Sequence, residues 1–300
     1  MSVTATDFPR CSNCGGTAWT PIYNGPVRDG AFGSSKVGTV ARCEGCAVDR
    51  LAESLCLRHE AYRSGYRQHV GQDNDLAKHY AAHDELSRFT VETLWPVSLR
   101  NLIVADVGCG GGSLLDHIRG LPAELIAIDP DEGFAGSLQE RKYRWYATAE
   151  TAAKERAGRV DVAFSIQVIE HVEDPRGFLE GIRDLLSKDG VLIVSTPNRA
   201  DILMELLDTE FPSFFYRTQH RWYFDANSLR DVAERAGLRI EAVRHVHRYG
   251  MANALMWLRD RKPSGRAGLP AIDRFADGMW RNWLEQTGRA DNLYMILKRA

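Results

Sequence analysis

The stretch "VADVGCGGGSLL" occupies residues 104–115 and decides the fold. An apolar run over residues 101–105 precedes Asp106, three consecutive glycines follow Cys109, and helix-forming residues begin at Ser113. A strand that ends in a glycine turn and opens a helix can bring its backbone close to a ligand, because glycine adopts conformations that other residues resist. The stretch therefore predicts a cofactor site at the end of a buried strand, without deciding which cofactor is bound.

Strands and helices alternate from residue 101 onward. The pattern predicts strands near 102–107, 124–128, 143–147, 161–166, 191–195, 239–247 and 292–298, and helices near 112–119, 133–141, 150–156, 176–187 and 226–236. This alternation is typical of a doubly wound α/β sheet, which binds ligands at the carboxyl ends of its strands.

Composition and charge narrow the class of protein. A chain of 300 residues allows one large domain or one main domain with appendages. The net charge is −2, and the first hundred residues hold eleven basic and eleven acidic residues, so nothing in the charge predicts a nucleic-acid partner. Neither an apolar run of about 18–20 residues nor a signal-peptide core is found, so we predict a cytoplasmic protein with no membrane span.

Four of the six cysteines form two doublets, Cys11/Cys14 and Cys43/Cys46, with 28 residues between them. In a reducing compartment such paired doublets favour zinc over disulfides, and four thiolates close the tetrahedral shell of a structural ion. Unconnected thiols or a redox pair remain alternatives. We predict a zinc module over residues 1–50, a helical linker or cap over 51–98, and a main domain over 99–300.

The residues around the glycine turn favour S-adenosylmethionine (SAM) over NAD. The last glycine, Gly112, comes one residue too early for the dinucleotide pattern G-x-G-x-x-G. Asp106 would repel a pyrophosphate but attract the ammonium group of a methionine moiety. Asp129 ends the next strand, where a carboxylate can accept hydrogen bonds from both ribose hydroxyls.

Four segments then resemble, in order and spacing, the motifs of class I SAM-dependent methyltransferases: "DVGCGGG" (106–112), "IAIDP" (126–130), "DVAFSIQVIEHVEDP" (161–175) and "LSKDGVLIVSTPN" (186–198). The resemblance covers about residues 100–240. It implies a seven-stranded Rossmann-like sheet of order 3-2-1-4-5-7-6, with "DNLYMILKRA" (291–300) as its last, inserted strand.

The same resemblance assigns cofactor contacts residue by residue. It implies a methionine-binding turn (Asp106, Gly108, Cys109, Gly110), a ribose site (Asp129, Pro130), an adenine-side loop (Ala149, Glu150) and a wall on the methyl-transfer side (Gln167, His171). The chain departs from the family pattern at Thr148, where many relatives carry an aspartate near the adenine amine.

Residues 199–225 fall where such enzymes insert substrate-recognition elements, and a helical lid is predicted over about 250–290. The insert is rich in aromatic residues: Phe211, Phe214, Phe215, Tyr216, Trp222, Tyr223 and Phe224. A mostly apolar lid suits a small organic acceptor, although some of these rings can simply pack the lid onto the sheet.

His220, within "TQHRWYFD" (218–225), is the predicted general base, because histidine titrates in the range that proton removal needs. A buried structural histidine is the alternative, in which case Tyr216 or Tyr223 would take the catalytic role. His245 and His247 are predicted to be structural. Arg217, Arg221 and Arg248 could clamp a phosphorylated acceptor.

The cysteine doublets ahead of this core resemble, in part, the sugar C-methyltransferases of deoxysugar pathways in natural-product biosynthesis. Only His220 remains of their catalytic cluster, and the chain has no room for their further C-terminal domain, so O- or N-methylation of a small biosynthetic intermediate fits better. A ribosomal or transfer RNA base methyltransferase should carry a basic zinc module, which is not found here. A non-catalytic SAM-binding or scaffold protein is a further alternative, but a scaffold that no longer binds SAM would have no physical need for Asp106, Gly108, Gly110 and Asp129.

Overall fold

The structure, a computed structural model, describes residues 7–30, 34–64, 66–69, 71, 75–93, 98–265 and 267–300. The chain divides into two compact units. The cysteine unit comprises the residues through Leu57 together with Ser195–Val232 and Ala242–Met295, and the glycine-turn unit comprises Arg58–Val194, Ala233–Glu241 and Ile296–Ala300. The sequence predicts domain boundaries at residues 50 and 98, between zinc module, helical linker and main domain, and these boundaries remain a prediction.

The strands and helices have the following bounds. The strands are β1 (Trp19–Arg28), β2 (Ser35–Cys43), β3 (Asp49–Leu51), β4 (Ile103–Val107), β5 (Glu124–Ile128), β6 (Arg144–Tyr146), β7 (Val160–Ile166), β8 (Leu186–Pro197), β9 (Trp222–Tyr223), β10 (Leu238–Val246) and β11 (Asn292–Arg299). The helices are α1 (His59–Arg63), α2 (Tyr66–His69), α3 (Leu76–Thr93), α4 (Ser113–Ile118), α5 (Ala135–Glu140), α6 (Ala149–Arg156), α7 (Pro175–Leu185), α8 (Ile202–Leu206), α9 (Glu210–Phe215), α10 (Ala226–Arg235), α11 (Met251–Asp260) and α12 (Arg274–Thr287).

A seven-stranded sheet has the order β10-β11-β8-β7-β4-β5-β6. When these seven strands alone are numbered along the chain, the order reads 3-2-1-4-5-7-6 from the β6 edge, as the sequence predicts. β4 pairs in parallel with β5 and with β7, and β5 pairs in parallel with β6. Asp106 lies opposite Ala127 of β5 on one side and Phe164 of β7 on the other. It is therefore in the middle of the sheet, near the carboxyl end of β4.

The seven predicted strands and five predicted helices of this α/β pattern are present, with most ends within two or three residues of the prediction. The exception is β8, which begins at Leu186 instead of near 191. Leu186 leaves the helical conformation directly after α7, with φ −63° and ψ 136°. Its carbonyl accepts a hydrogen bond from Arg299 Nη1 at 3.0 Å, and the Ser187 hydroxyl bonds Asp161 at 3.2 Å. These partners, distant in sequence, extend the strand beyond its apolar centre.

A second sheet, of order β1-β2-β3-β9, lies in the cysteine unit. Its last strand, β9, comes from the predicted insert and pairs antiparallel with β3 through Asp49 opposite Tyr223 and Arg50 opposite Trp222. Six of the seven aromatic side chains of the insert are buried, all except Phe214. Packing accounts for most of this aromatic density, and an apolar acceptor lid over residues 199–225 stays a prediction.

The helical segment predicted over about 250–290 contains α11 and α12, which pack Trp257 and Leu284 into the same core as Phe211 and Tyr223. Asp273 begins α12 by accepting a hydrogen bond from Ala276 N at 2.8 Å. Among the described residues, we find no helix with the length and apolar character needed to cross a membrane.

Candidate functional site

The glycine turn after β4 requires glycine for steric reasons. Gly108, Gly110 and Gly112 all have positive φ, at 87°, 51° and 85°. A Cβ atom on Gly108 would lie 2.3 Å from Cγ2 of Val168, which is closer than side chains tolerate. The turn is fastened to β5, because the backbone N–H groups of Gly108 and Cys109 both donate to the carbonyl of Ile128, at 2.7 and 3.2 Å. Glycine is thus required at position 108 both by the left-handed backbone and by the Val168 side chain packed against it.

Two buried carboxylates accompany this turn, as expected from the sequence. Asp129 Oδ2 accepts a hydrogen bond from Gly110 N at 2.7 Å, and its Oδ1 accepts one from Asp131 N at 2.9 Å. Asp106 is only 4% exposed. Burial, together with the negative charge of Asp129, raises the pKa of Asp106 from its ordinary value of 3.8 to about 8. A cation bound beside these two groups would relieve their repulsion.

α3 contributes residues that the sequence analysis missed. The backbone N–H of Gly111 donates to His79 Nε2 at 3.1 Å, and the His79 ring lies 5.2 Å from that of Phe134. Arg141 donates to the Gly111 carbonyl at 2.6 Å and pairs with Asp116 at 2.7 Å. A possible signal was the pair His79/His83, four residues apart on one helix face, whose rings stack at 4.2 Å.

The predicted adenine-side loop lies at the start of α6. Thr148 Oγ1 accepts from Thr151 N at 3.2 Å, and Thr151 Oγ1 accepts from Thr148 N at 3.0 Å, which forms a capping box. The departure from the family pattern at Thr148 thus coincides with a helix cap. Ala149 is buried. The Glu150 carboxylate is directed towards α7, 3.2 Å from the position that a Cβ on Gly181 would take.

Gln167 and His171 follow β7, at the carboxyl end of the sheet. Gln167 has φ 58°, a left-handed conformation that is uncommon for a residue with a side chain. His171 is surrounded by aromatic residues that the sequence analysis did not select. Its Nδ1 lies 3.4 Å from the Tyr62 hydroxyl, and its ring lies edge-on to Tyr62 and Tyr66, at 5.8 and 6.0 Å.

The four predicted metal ligands converge in the cysteine unit. Cys11 and Cys46 have their Sγ atoms 3.7 Å apart, those of Cys14 and Cys43 are 3.5 Å apart, and all four lie within 4.8 Å of one another. A disulfide requires about 2.05 Å, whereas a tetrahedral ion with Zn–S bonds of about 2.3 Å places its sulfurs nearly 3.8 Å apart. The cluster therefore has the dimensions of a tetrahedral metal centre.

Both cysteine doublets are built by the same turn. The residue after each second cysteine is left-handed, Gly15 with φ 75° and Ala47 with φ 57°. In each turn that residue donates its N–H to the carbonyl of the first cysteine, at 2.7 Å to Cys11 and 2.9 Å to Cys43. Each turn therefore brings the two cysteines of its doublet to the cluster of four sulfurs.

The predicted catalytic residues lie together in the cysteine unit, but they differ in what their side chains can do. His220 is buried, and its ring lies 6.1 Å from that of Tyr223. Its backbone N–H donates to the Arg217 carbonyl at 3.1 Å. The Tyr223 hydroxyl accepts from Arg217 N at 2.9 Å and donates to Arg217 O at 3.1 Å. Burial raises the pKa values of Tyr216 and Tyr223, so neither phenol is a ready base.

Two of the three arginines considered for a phosphate clamp form ion pairs within the cysteine unit. Arg221 Nη1 lies 2.6 Å from Glu53 Oε2, and Arg248 Nε lies 2.8 Å from Asp291 Oδ2. His247 Nδ1 accepts from Asp291 N at 3.1 Å, in agreement with the structural role expected of it. The third arginine, Arg217, stacks against Phe214 at 5.8 Å.

Comparison with known proteins identifies the region that contains the glycine turn. The profile of a methyltransferase domain family matches residues 77–243, which is more than half of the chain. A chain from the complex of the Haloferax volcanii Trm112 methyltransferase activator superposes with a TM-score of 0.51 at 14% identity. The superposition covers 74% of this chain and 92% of that one, and shows a shared fold.

Curated relatives support the same family. The ubiquinone biosynthesis O-methyltransferase of Ruegeria pomeroyi is 35% identical over 150 residues, which are 46% of this chain and 60% of the relative. The protein of the same name from Cereibacter sphaeroides is 31% identical over 181 residues, 56% of this chain and 72% of the relative. The chain thus spans less than two thirds of the first relative's length.

Proposed function

The chain belongs to the methyltransferase domain family, and from this premise we propose that it uses SAM to methylate a hydroxyl oxygen of a small organic acceptor. The observation that favours oxygen is the name shared by both relatives, which are O-methyltransferases. The balanced charge of the N-terminal hundred residues favours a small acceptor over RNA. A deoxysugar or other natural-product acceptor remains a prediction from the sequence.

SAM fits the residues of the glycine turn. We propose that the backbone of Gly108, Cys109 and Gly110 approaches the methionine part, since this turn follows β4 at the carboxyl end of the parallel strands, where such sheets bind their ligands. Asp129 and Pro130 would border the ribose, and Ala149 with Glu150 the adenine. Asp106 would face the ammonium group, and Gln167 and His171 would line the methyl-transfer side. When bound, SAM supplies an electrophilic methyl group.

His220 is the proposed general base. Its imidazole would take the proton from the acceptor hydroxyl as the oxygen forms its new bond to carbon, so that no free alkoxide is needed. Tyr216 and Tyr223 are less suited, because burial raises their pKa values and the Tyr223 hydroxyl already bonds the Arg217 backbone on both sides. Zinc, held by Cys11, Cys14, Cys43 and Cys46, would have a structural role, because four thiolates leave no open position.

The raised pKa of Asp106 makes cofactor affinity depend on pH. Without a ligand the carboxyl group is mostly protonated at pH 6–7, since its pKa is about 8. An ammonium group favours the ionised form, so binding should release a proton. Affinity for S-adenosylhomocysteine should rise with pH, by at most about tenfold per unit, and level off above pH 8. Titration calorimetry at pH 6, 7, 8 and 9 measures this directly.

Asp106→Asn should remove this pH dependence, whereas Asp161→Asn, which changes a carboxylate bonded to Ile103 N at the opposite end of β4, should keep it. The effect of Asp106 on folding stability has the opposite dependence on pH. Since the folded, ligand-free chain binds the extra proton between pH 4 and 8, this group lowers the free energy of unfolding as the pH rises through that range. An affinity independent of pH in the unmodified protein would refute the assignment of Asp106 to the ammonium group.

Methyl transfer itself is tested with labelled SAM and three pools of acceptors: phenols and catechols, sugars and nucleotide sugars, and total RNA. We expect a mass increase of one methyl group on a small hydroxyl compound, and loss of labelling when that hydroxyl is blocked. Labelling of RNA together with tight, salt-sensitive RNA binding would instead support the base methyltransferase. Saturable SAM binding without transfer to any pool would favour the non-catalytic alternative.

A further inference from the structure

Helix α12 exposes a stripe of three large apolar side chains. Phe275, Met279 and Trp283 are 74%, 59% and 46% exposed, and they follow one another at intervals of four residues. Residues four apart on a helix lie on the same face, so the three side chains form one continuous surface, the α12 stripe. The opposite face packs Trp280 and Leu284 into the core of the cysteine unit. Isolated exposed apolar residues are ordinary, whereas a contiguous stripe marks an interaction surface.

The exposed charges of α12 beside this stripe are positive. Arg274 and Arg281 are exposed, and neither has an ionic partner in the part of the chain that the structure describes. The two acids of the helix are directed elsewhere. Asp277 faces the N-cap residue of α11, where a Cβ would meet both of its carboxylate oxygens, and Glu285 Oε1 accepts a hydrogen bond from His247 N at 2.9 Å. On the helix itself, the α12 stripe is therefore accompanied only by cations.

The chain around α12 is basic as well. Residues 257–289 hold seven basic and four acidic residues, although the whole chain has a net charge of −2. The remaining two acids of this segment also have partners, since Asp260 pairs with Arg259 at 2.6 Å and Asp273 caps α12 by accepting from Ala276 N at 2.8 Å. Salt screens charges that lie more than about 8 Å apart at physiological ionic strength. The local excess of positive charge, and not the net charge of the chain, therefore determines what the α12 stripe attracts.

Charge and area distinguish the partners that could cover this stripe. A second copy of the chain would bring its own Arg274 and Arg281 to the interface, with no acid on the same helix face to pair with them. A stable protein partner normally covers about 800 Å² of surface, whereas three side chains that bury about 150–250 Å² each when fully covered provide less than that. An anionic bilayer needs no such area, because its headgroups attract the arginines while its apolar interior accepts the side chains between them.

We propose that α12 binds the surface of an anionic phospholipid bilayer. The helix would lie in the plane of the headgroups, with Phe275, Met279 and Trp283 inserted among the lipid chains and the two arginines beside the lipid phosphates. Tryptophan favours this depth, because its ring is apolar and its N–H can still reach a polar partner. The proposal goes beyond methyl transfer and does not depend on which acceptor is used.

Binding is measured by flotation of the whole protein with two kinds of vesicle, one of phosphatidylglycerol and phosphatidylcholine in equal parts and one of phosphatidylcholine alone. The anionic vesicles should bind the protein at least about tenfold more tightly, and added salt should reduce this difference. Arg274→Gln and Arg281→Gln should each weaken binding about fivefold, the effect of one charge at an anionic surface. Phe275→Gln and Trp283→Gln should each weaken binding by roughly tenfold, because they remove inserted apolar surface.

Two variants outside α12 are matched controls. Val37→Thr changes an apolar residue of β2 that is 78% exposed, and Arg144→Gln changes an exposed arginine beside Glu124. Both should bind the anionic vesicles as the unmodified protein does. Insertion has a separate measurement, because anionic vesicles should shift tryptophan emission to shorter wavelength, and Trp283→Phe should reduce that shift.

The comparison of the two vesicles needs no variant to fold. Absence of binding to the anionic vesicles, or equal binding to both kinds, would overturn the proposal. Binding that is unchanged in Phe275→Gln and Arg274→Gln would overturn it as well, since the bilayer would then contact another surface. Self-association of the unmodified protein that is lost in Phe275→Gln, without binding to vesicles, would assign the α12 stripe to a second copy. Binding to polyglutamate in place of vesicles would assign it to an acidic protein.

Discussion

Cys43→Ser is expected to abolish metal binding and to unfold the cysteine unit. Cys43 ends β2, which pairs with β1 and with β3. Loss of this metal ligand should therefore destabilise the whole four-stranded sheet. Structural zinc sites contribute on the order of 10 kcal/mol to folding, which is comparable to the total stability of a domain. Elemental analysis should find about one zinc ion per unmodified chain, and thermal denaturation of Cys43→Ser should show a lost or strongly lowered transition.

Cys56→Ser provides the matched control. The Cys56 thiol lies outside the cluster, 3.4 Å from the Ala52 carbonyl and 3.6 Å from that of Leu51, where a serine hydroxyl can donate equally well. This variant should keep its metal and its stability. Unmodified protein purified without chelator and containing neither zinc nor iron would contradict the metal centre, as would a Cys43→Ser variant of full stability.

His220→Ala should lower turnover by roughly 10²–10⁴-fold while leaving affinity for S-adenosylhomocysteine nearly unchanged. The reason is that the proposed base acts on the acceptor proton and takes no part in holding the cofactor. Steady-state kinetics with the acceptor found by the labelling experiment give turnover, and calorimetry gives cofactor affinity.

Two control variants distinguish a catalytic role of His220 from a structural one. His117→Ala changes a histidine beside Asp84 on the glycine-turn unit and should retain turnover. Tyr223→Phe removes the hydroxyl that bonds Arg217 N and O. It should therefore lower the melting temperature while having little effect on the rate of methyl transfer. If His220→Ala turns over at nearly the normal rate, His220 is structural and the base lies elsewhere.

The α/β sheet could be predicted because its signals are local. β4 and β5 are short, mostly apolar runs followed directly by Gly108 and Asp129, and the glycine turn is evident from "DVGCGGG". The cysteine doublets are equally local, since each turn fixes two ligands within four residues. Asp106 could be selected because it lies near the end of buried strand β4, and Asp129 because it directly follows β5.

The parts that were missed depend on partners distant in the chain. β9 has only two residues and exists because Trp222 and Tyr223 pair with Arg50 and Asp49, some 170 positions earlier. Helices α8 and α9 have five and six residues, too few for a helical periodicity to be recognised. Tyr62 beside His171, like Arg28 beside Arg217, joins residues that only the tertiary structure brings together.

The hydrogen bond between Gly111 and His79 bears on how the chain can be shortened and how it can change in evolution. A fragment that begins at residue 99 would lose the acceptor of a buried N–H group, at a cost of about 1–3 kcal/mol, together with the Tyr80 partner of Arg141. A fragment that begins ahead of α3 would keep both. Substitutions at the two positions also depend on each other during evolution, because a Cβ at position 111 would lie 2.6 Å from the His79 ring. A replacement of Gly111 therefore requires that His79 be replaced or that its ring move away.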